Sequence, residues 1–233
     1  SEQMEAINKE KLSYFTNLAH EFKTPLTLIQ GPASQLVRQT TDPKEKEDLQ
    51  IINRNAQYLL SLVNQLIDLR KIDTQNLTLN YSQFNFSKFL NTTITDFSNL
   101  MKERNISFEK IYRLKSDHIY SDKENLHKIL FNLLSNAIKH TPDKGKITLH
   151  ANQFIDKSNK LMQFISVTNS GSIIAPDEID KIFNRFYRIP EQNKYTNYGQ
   201  SSTGIGLHIV KELINLLGGT IKVKSSEKVG VSF

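Results

Sequence analysis

Apolar residues recur three and four positions apart from residue 1 to about residue 40, at Met4, Ile7, Phe15, Leu18, Phe22, Leu26, Ile29, Ala33 and Leu36. That spacing predicts one long amphipathic helix. Pro25 has no N–H to give the Glu21 carbonyl, which predicts a bend there, and Pro32 predicts a second weak point. Gln39-Thr40-Thr41-Asp42-Pro43 reads as a turn, with Asp42 as cap and Pro43 at the first helical position. A second helix follows, with Leu49, Ile52, Ala56, Leu59, Val63, Leu66 and Leu69 on one stripe. Two long helices on a short loop predict an antiparallel hairpin. One hairpin cannot cover both stripes, so a second copy completing a four-helix bundle is expected.

From Tyr81 the pattern changes. Phe84 and Phe86 alternate as a short strand, and Ser87 is placed to cap a helix carrying Leu90, Ile94, Phe97, Leu100 and Met101. Strands are expected at Ile106–Ile111 and His118–Tyr120. Ser121-Asp122-Lys123-Glu124 has the form of a capping box opening a helix from about Lys123 to His140, closed by Thr141-Pro142. Strands follow at Lys146–Asn152 and Leu161–Val167, then a short helix from Asp177. A polar stretch from about Ile189 to Thr203 lacks periodicity, as an active-site lid would, and Lys194 is its candidate phosphate cation. An apolar helix with Ile209, Val210, Leu213 and Ile214 stops at Gly218-Gly219, before strands at Thr220–Lys224 and Val229–Val231.

Composition narrows this picture without naming an activity. The 233 residues suffice for one large or two modest domains. Zero cysteines exclude disulfides and thiolate metal sites. The net charge of +6 suits nucleotide phosphates or an acidic protein partner. Basic residues are scattered, with no arginine-rich arm, so nucleic acid is not expected as a partner. No apolar run approaches the roughly 20 residues that cross a bilayer. The chain opens without Met and stops inside an apparent strand, which reads as a piece of something larger.

The chemistry starts at His20. It lies two residues from both Leu18 and Phe22, so at about 100° per residue its imidazole falls on the polar face of the first helix. Glu21 beside it can accept a hydrogen bond from one ring nitrogen, leaving the other as a nucleophilic lone pair. Thr24, one turn on, shares the histidine's face. On the helix from Lys123, Asn132 and Asn136 stand one turn apart in an apolar context, where burial is costly unless their amides bind something. Amide oxygens are hard neutral ligands suited to Mg²⁺ whose charge phosphates already meet. Glycines at Gly204 and Gly206 open the last helix, where backbone N–H groups can approach phosphate oxygens. No P-loop pattern occurs.

His20-Glu21-Phe22-Lys23-Thr24-Pro25-Leu26 resembles the H box of sensor histidine kinases, and Asn132-Leu133-Leu134-Ser135-Asn136-Ala137-Ile138-Lys139-His140-Thr141 resembles their N box. Asn169-Ser170-Gly171-Ser172-Ile173 stands where that family has Asp-x-Gly-x-Gly, and Ile182–Arg188 resembles its F box. Ser202-Thr203-Gly204-Ile205-Gly206-Leu207 resembles the G2 box, with serine at the first glycine. The resemblance implies a fold of α + α/β type. A hairpin dimerising into a four-helix bundle (residues 1–78) would precede an α/β sandwich binding ATP, of the GHKL type shared with topoisomerase II and mismatch-repair ATPases (residues 79–233).

By the same resemblance, ATP phosphorylates His20, with Glu21 accepting its proton, and the phosphoryl group passes to an aspartate on a response regulator receiver domain. Thr24 would position water in the reverse, phosphatase direction. Asn132 and Asn136 would hold Mg²⁺. The nucleotide would also meet Lys139, His140, Asn169, Gly171, Ile174, Phe186, Arg188, Thr203, Gly204, Ile205, Gly206 and Leu207. Asn169 replaces the family's aspartate, and its amide oxygen can accept the adenine amino hydrogen bond without charge assistance. The parent implied is a homodimer, the cytoplasmic portion of a membrane-anchored receptor, with room for a fused receiver domain. Two rival readings are a degraded kinase kept as a phosphatase and binding scaffold, and an ATPase of the same fold without a phosphohistidine.

Overall fold

A computed structural model describes residues 2–74, 76–189 and 203–233, with side chains from Glu21 onward. The chain divides into two compact units, Ser1–Leu77 and Thr78–Phe233. The first is a hairpin of α1 (Glu2–Gln39) and α2 (Pro43–Asp73). α1 continues as one helix through Pro25 and Pro32. Asp42 caps α2 by accepting from the Lys44 and Glu45 N–H groups, with Pro43 behind it. The helices run antiparallel: Leu26 packs on Val63 and Ile67, while Ser34 donates to Asn53 Oδ1 at 2.9 Å. Ala33 and Ala56 are buried where the helices meet. Phe22, Ile29 and Leu36, spaced seven apart, stay exposed on α1, as do Ile52 and Leu59 on α2.

The second unit contains β1 (Tyr81–Asn85), α3 (Phe86–Thr95), α4 (Ser98–Glu103), β2 (Ser107–Arg113), β3 (His118–Asp122), α5 (Lys123–His140), β4 (Lys146–Ile155), β5 (Leu161–Asn169), a 3₁₀ turn (Lys181–Phe183), α6 (Gly206–Leu216), β6 (Lys224–Ser226) and β7 (Gly230–Ser232). β1 and β3 form an antiparallel ribbon. The main sheet runs β2-β4-β5-β7-β6 and is mixed, because β2 lies parallel to β4 while the other neighbours are antiparallel. A parallel pair needs a crossover, and α5 lies within it. β4 alternates, with Ile147, Leu149 and Ala151 fully buried and Thr148, His150 and Asn152 half-buried. Against this sheet α5 buries Ile129, Leu130, Leu133, Leu134, Ala137 and Ile138, and α6 buries Ile209, Val210 and Leu213. Among the described residues no helix is long and apolar enough to cross a membrane.

Several local expectations are corrected. Phe86 opens α3 rather than ending a strand, and the cap is Asn85, whose Oδ1 accepts from the Lys88 N–H at 2.8 Å. Ser87 instead donates its hydroxyl to Asn85. The helix expected to reach Met101 breaks after Thr95, whose carbonyl accepts the Ser98 hydroxyl, and resumes as α4. Asp122, not Ser121, caps α5, because β3 runs two residues beyond Tyr120 and pairs Asp122 with Tyr81. Burial alone would raise the Asp122 carboxyl. Hydrogen bonds from Asn125 and the Asn80 N–H outweigh burial and hold it below the ordinary aspartate value. The helix expected from Asp177 is one 3₁₀ turn, and the strand expected at residues 220–224 begins only at Lys224.

Arg104 anchors the far end of α5. Only 5% exposed, it donates to the carbonyls of Ile138 and Thr141 at 2.6 Å each and to Asp143 Oδ1 at 2.8 Å. A cation there satisfies helix-end carbonyls and meets the negative end of the helix dipole. Arg104→Ala is expected to cost about 2–4 kcal/mol in urea unfolding, since it strands buried acceptors. Arg104→Lys should recover only part of that loss, because an ammonium lacks the guanidinium's fork.

Candidate functional site

In the hairpin unit, Glu21 and Thr24 are exposed on α1. The side chain of His20 lies outside the described residues. So do Lys194, Ser202 and most of the stretch expected as a lid, residues 190–202.

In the second unit, the site assembles where α5, the end of β5 and the start of α6 meet. Asn132 donates its amide to the Lys128 carbonyl at 2.8 Å, which turns its Oδ1 outward. A Cβ on Gly206 would stand 2.8 Å from that oxygen, so the amide lies against the first residue of α6. α6 begins without a side-chain cap, Ile205 holding the cap position. Its first N–H groups are therefore available to an anion, and the dipole favours one. Gly204 precedes with φ of +69°, and a Cβ there would meet the Phe186 backbone at 2.6 Å. Phe186 N–H donates to the Gly204 carbonyl at 2.9 Å, tying the two strands of chain together. Thr203 accepts the Ile205 N–H at 3.3 Å.

Asn136, Lys139 and His140 follow along α5, all half-buried. Burial, and then the Arg188 charge, lower the Lys139 pKa to about 8. Burial, and then Lys139, lower His140 to about 4. At neutral pH this turn therefore presents one ammonium beside a guanidinium, next to an uncharged imidazole.

The turn after α5 is welded to the end of β5. Gly171 has φ of +85°, and a Cβ there would lie 2.4 Å from the Pro142 ring. Asn169, 3% exposed, donates its amide to Ser172 Oγ at 2.7 Å, which leaves Oδ1 as its acceptor. Ile174 and Leu207, both expected at the nucleotide, pack in a hydrophobic cluster with Ile182, Phe183 and Val231, Leu207 being partly buried there. Phe186 is 61% exposed with φ of +62°.

Two side chains here, His208 and Glu178, carry no sequence signal. His208, on the first turn of α6, accepts from Arg185 Nε at 2.9 Å through Nε2, and its Nδ1 lies 3.2 Å from the Phe183 carbonyl. The two contacts are compatible when Nδ1 carries the proton. Glu178 accepts a short hydrogen bond from the Tyr187 hydroxyl and so fixes an F-box aromatic. Only tertiary proximity brings these residues together.

Residues 10–75 match the His Kinase A (phospho-acceptor) domain, and residues 121–233 match the histidine kinase-, DNA gyrase B- and HSP90-like ATPase family. This chain belongs to the sensor histidine kinases. Among histidine kinases it is 38% identical to Histidine kinase P4 of Formosa agariphila over 98% of this chain and 16% of that protein. It is 31% identical to Hybrid signal transduction histidine kinase D of Dictyostelium discoideum over 100% of this chain and 15% of that protein. The chain thus spans about one sixth of each of these relatives. The crystal structure of histidine kinase ThkA in complex with response regulator protein TrrA superposes with a TM-score of 0.61. At 24% identity, covering 99% of this chain and 64% of that one, the likeness shows the fold.

The depressed His140 value has a consequence for stability. An unfolded chain would take up that proton near pH 6.5, whereas the folded unit resists to about 4. The stability contributed by the neutral ring is therefore full above about pH 6.5 and drains as pH falls from there towards 4. Urea unfolding at stepped pH should show this slope in the unaltered protein and a flatter one in His140→Asn.

Proposed function

We propose that this chain is the catalytic core of an ATP-dependent histidine autokinase, with His20 as acceptor. The reading is carried by the uncapped start of α6 facing the Asn132 amide oxygen of α5, with Lys139 and Arg188 close by. Backbone N–H groups at Gly206 and beyond would hold polyphosphate oxygens, and the Lys139 ammonium would offset their charge. Asn169 Oδ1 would accept from the adenine amino group. The outward oxygen of Asn132, and Asn136 one turn on, fit a magnesium ion: both are neutral oxygen donors, suited to a cation shared with phosphates. When bound, that ion would neutralise charge on the phosphates being separated.

The His20 ring nitrogen would attack the γ-phosphorus as the bond to the β-phosphate bridging oxygen breaks, and ADP would leave with that electron pair. Glu21 would take the proton from the other ring nitrogen. The phosphoryl group would then pass to a receiver-domain aspartate of a response regulator, the partner with which the ThkA structure is complexed. Thr24, exposed one turn from His20, would position water for dephosphorylation. The exposed stripes of Phe22, Ile29 and Leu36 and of Ile52 and Leu59 favour a homodimer packed as a four-helix bundle. The parent would be a membrane-anchored receptor.

Incubation with γ-labelled Mg-ATP should give an acid-labile label on the unaltered chain. His20→Gln should lose it while still binding nucleotide, and an undiminished label would exclude His20. Gly206→Ala is a separate probe of the phosphate cradle. Its Cβ displaces only the tip of Asn132, so stability should change by less than about 1 kcal/mol while nucleotide affinity falls about tenfold. Equal affinity in calorimetry would remove that cradle from the reading. Thr24→Ala should leave labelling intact and slow regulator dephosphorylation.

A further inference from the structure

The first turn of α6 carries a histidine to which the phosphate cradle gives no role. The His208 ring bridges two other parts of the unit: Nδ1 lies 3.2 Å from the Phe183 carbonyl, and Nε2 accepts from Arg185 Nε at 2.9 Å. A carbonyl can only accept, so Nδ1 carries the proton and Nε2 keeps its lone pair for the arginine. Phe183 is a fixed post for that ring. It is buried with Ile174, Ile182 and Val231, and its own ring meets Phe233 edge-on at 6.4 Å. Lys211 Nζ, one turn along α6 from His208, lies 5.7 Å from its centroid.

What the imidazole holds is a strained segment. Phe186 takes φ of +62°, a left-handed backbone that a non-glycine residue keeps only when its surroundings over-determine it. Three ties act on this turn: the Phe186 N–H to the Gly204 carbonyl at 2.9 Å, the Tyr187 hydroxyl to Glu178, and Arg185 to His208. Two of the three end at or just before the first turn of α6. Arg188 follows directly, and its charge is felt by Lys139 on α5.

We propose that His208 is a positioning residue for the nucleotide site: by pinning Arg185 it holds the turn at Phe186, and so places Arg188 where a polyphosphate at the start of α6 would meet it. This role rests on the reading of that helix start as a phosphate cradle. Arg185 is exposed, and an exposed polar pair adds little stability, so the effect falls on placement. Glutamine can reproduce both contacts, with an amide N–H for Phe183 and an amide oxygen for Arg185, whereas alanine offers neither.

Two measurements on the full chain test this. Without nucleotide, NMR should show the Arg185 Nε–H exchanging with water about tenfold faster in His208→Ala, with protection restored in His208→Gln. In calorimetry with a non-hydrolysable Mg-ATP analogue, His208→Ala should bind about fivefold more weakly and His208→Gln within about twofold of the unaltered chain. Arg185→Ala should weaken binding as much as His208→Ala, and the double variant no further, because both remove one link. A second full loss in the double variant overturns the proposal, as does unchanged exchange or affinity in His208→Ala. Glutamine behaving like alanine also overturns it. An unaltered chain that binds no nucleotide sinks the cradle and this role with it, while the exchange measurement separately reports whether the histidine holds the arginine.

Discussion

A single buried guanidinium holds the nucleotide-binding unit in register. Arg104 comes from the turn after α4 and ends on the last carbonyls of α5, so it fixes how far that helix extends and where Thr141 begins the turn. Everything proposed for the phosphates sits within three turns of that point. The tilt and depth of α5 decide whether Asn132 meets Gly206, and Pro142 can press on Gly171 only while the helix stops where it does. A charged group is an expensive anchor unless its hydrogen bonds are filled. Here two carbonyls and the Asp143 carboxylate, at 2.8 Å and itself 69% exposed, fill them.

The site built on that anchor uses neutral groups as much as charged ones. In the proposed site the amides of Asn132 and Asn169, the start of α6 and an uncharged His140 would share a polyphosphate ligand with the cations Lys139 and Arg188. A polyphosphate already brings its own counter-ion, so a pocket of undiluted positive charge would hold product as firmly as substrate. Mixed donors of this kind bind by geometry, which suits a reaction whose difficulty is mostly placement.

Much of this was legible from residue order alone. The hairpin could be read because three-and-four spacing persists over ten turns, and Asp42-Pro43 could be read because capping is local. The extent of α5, from about Lys123 to His140, is legible because a polar start and a Thr-Pro close are strong punctuation. What escaped was decided by neighbours distant in the chain. Whether Ser121 or Asp122 caps α5 depends on how far β3 pairs with β1, and Asn85 or Ser87 is the same contest at α3. The packing of Ile174 and Leu207 on Ile182, Phe183 and Val231 likewise follows from the fold, since apolar side chains next to a core are drawn towards it. Arg104, Glu178 and His208 have no pattern of their own, and only the folded chain brings them to their partners.

The sheet has an implication for how such a protein is made. Asn169 sits on β5 with one flank against β4 and the other against Val231 of β7, a strand that arrives late in the unit. During synthesis, then, Asn169 has a strand neighbour on one flank only until β6 and β7 leave the ribosome. A nascent chain can form its helical hairpin before β7 has reached β5, so on the proposed reading nucleotide binding would come later than the hairpin.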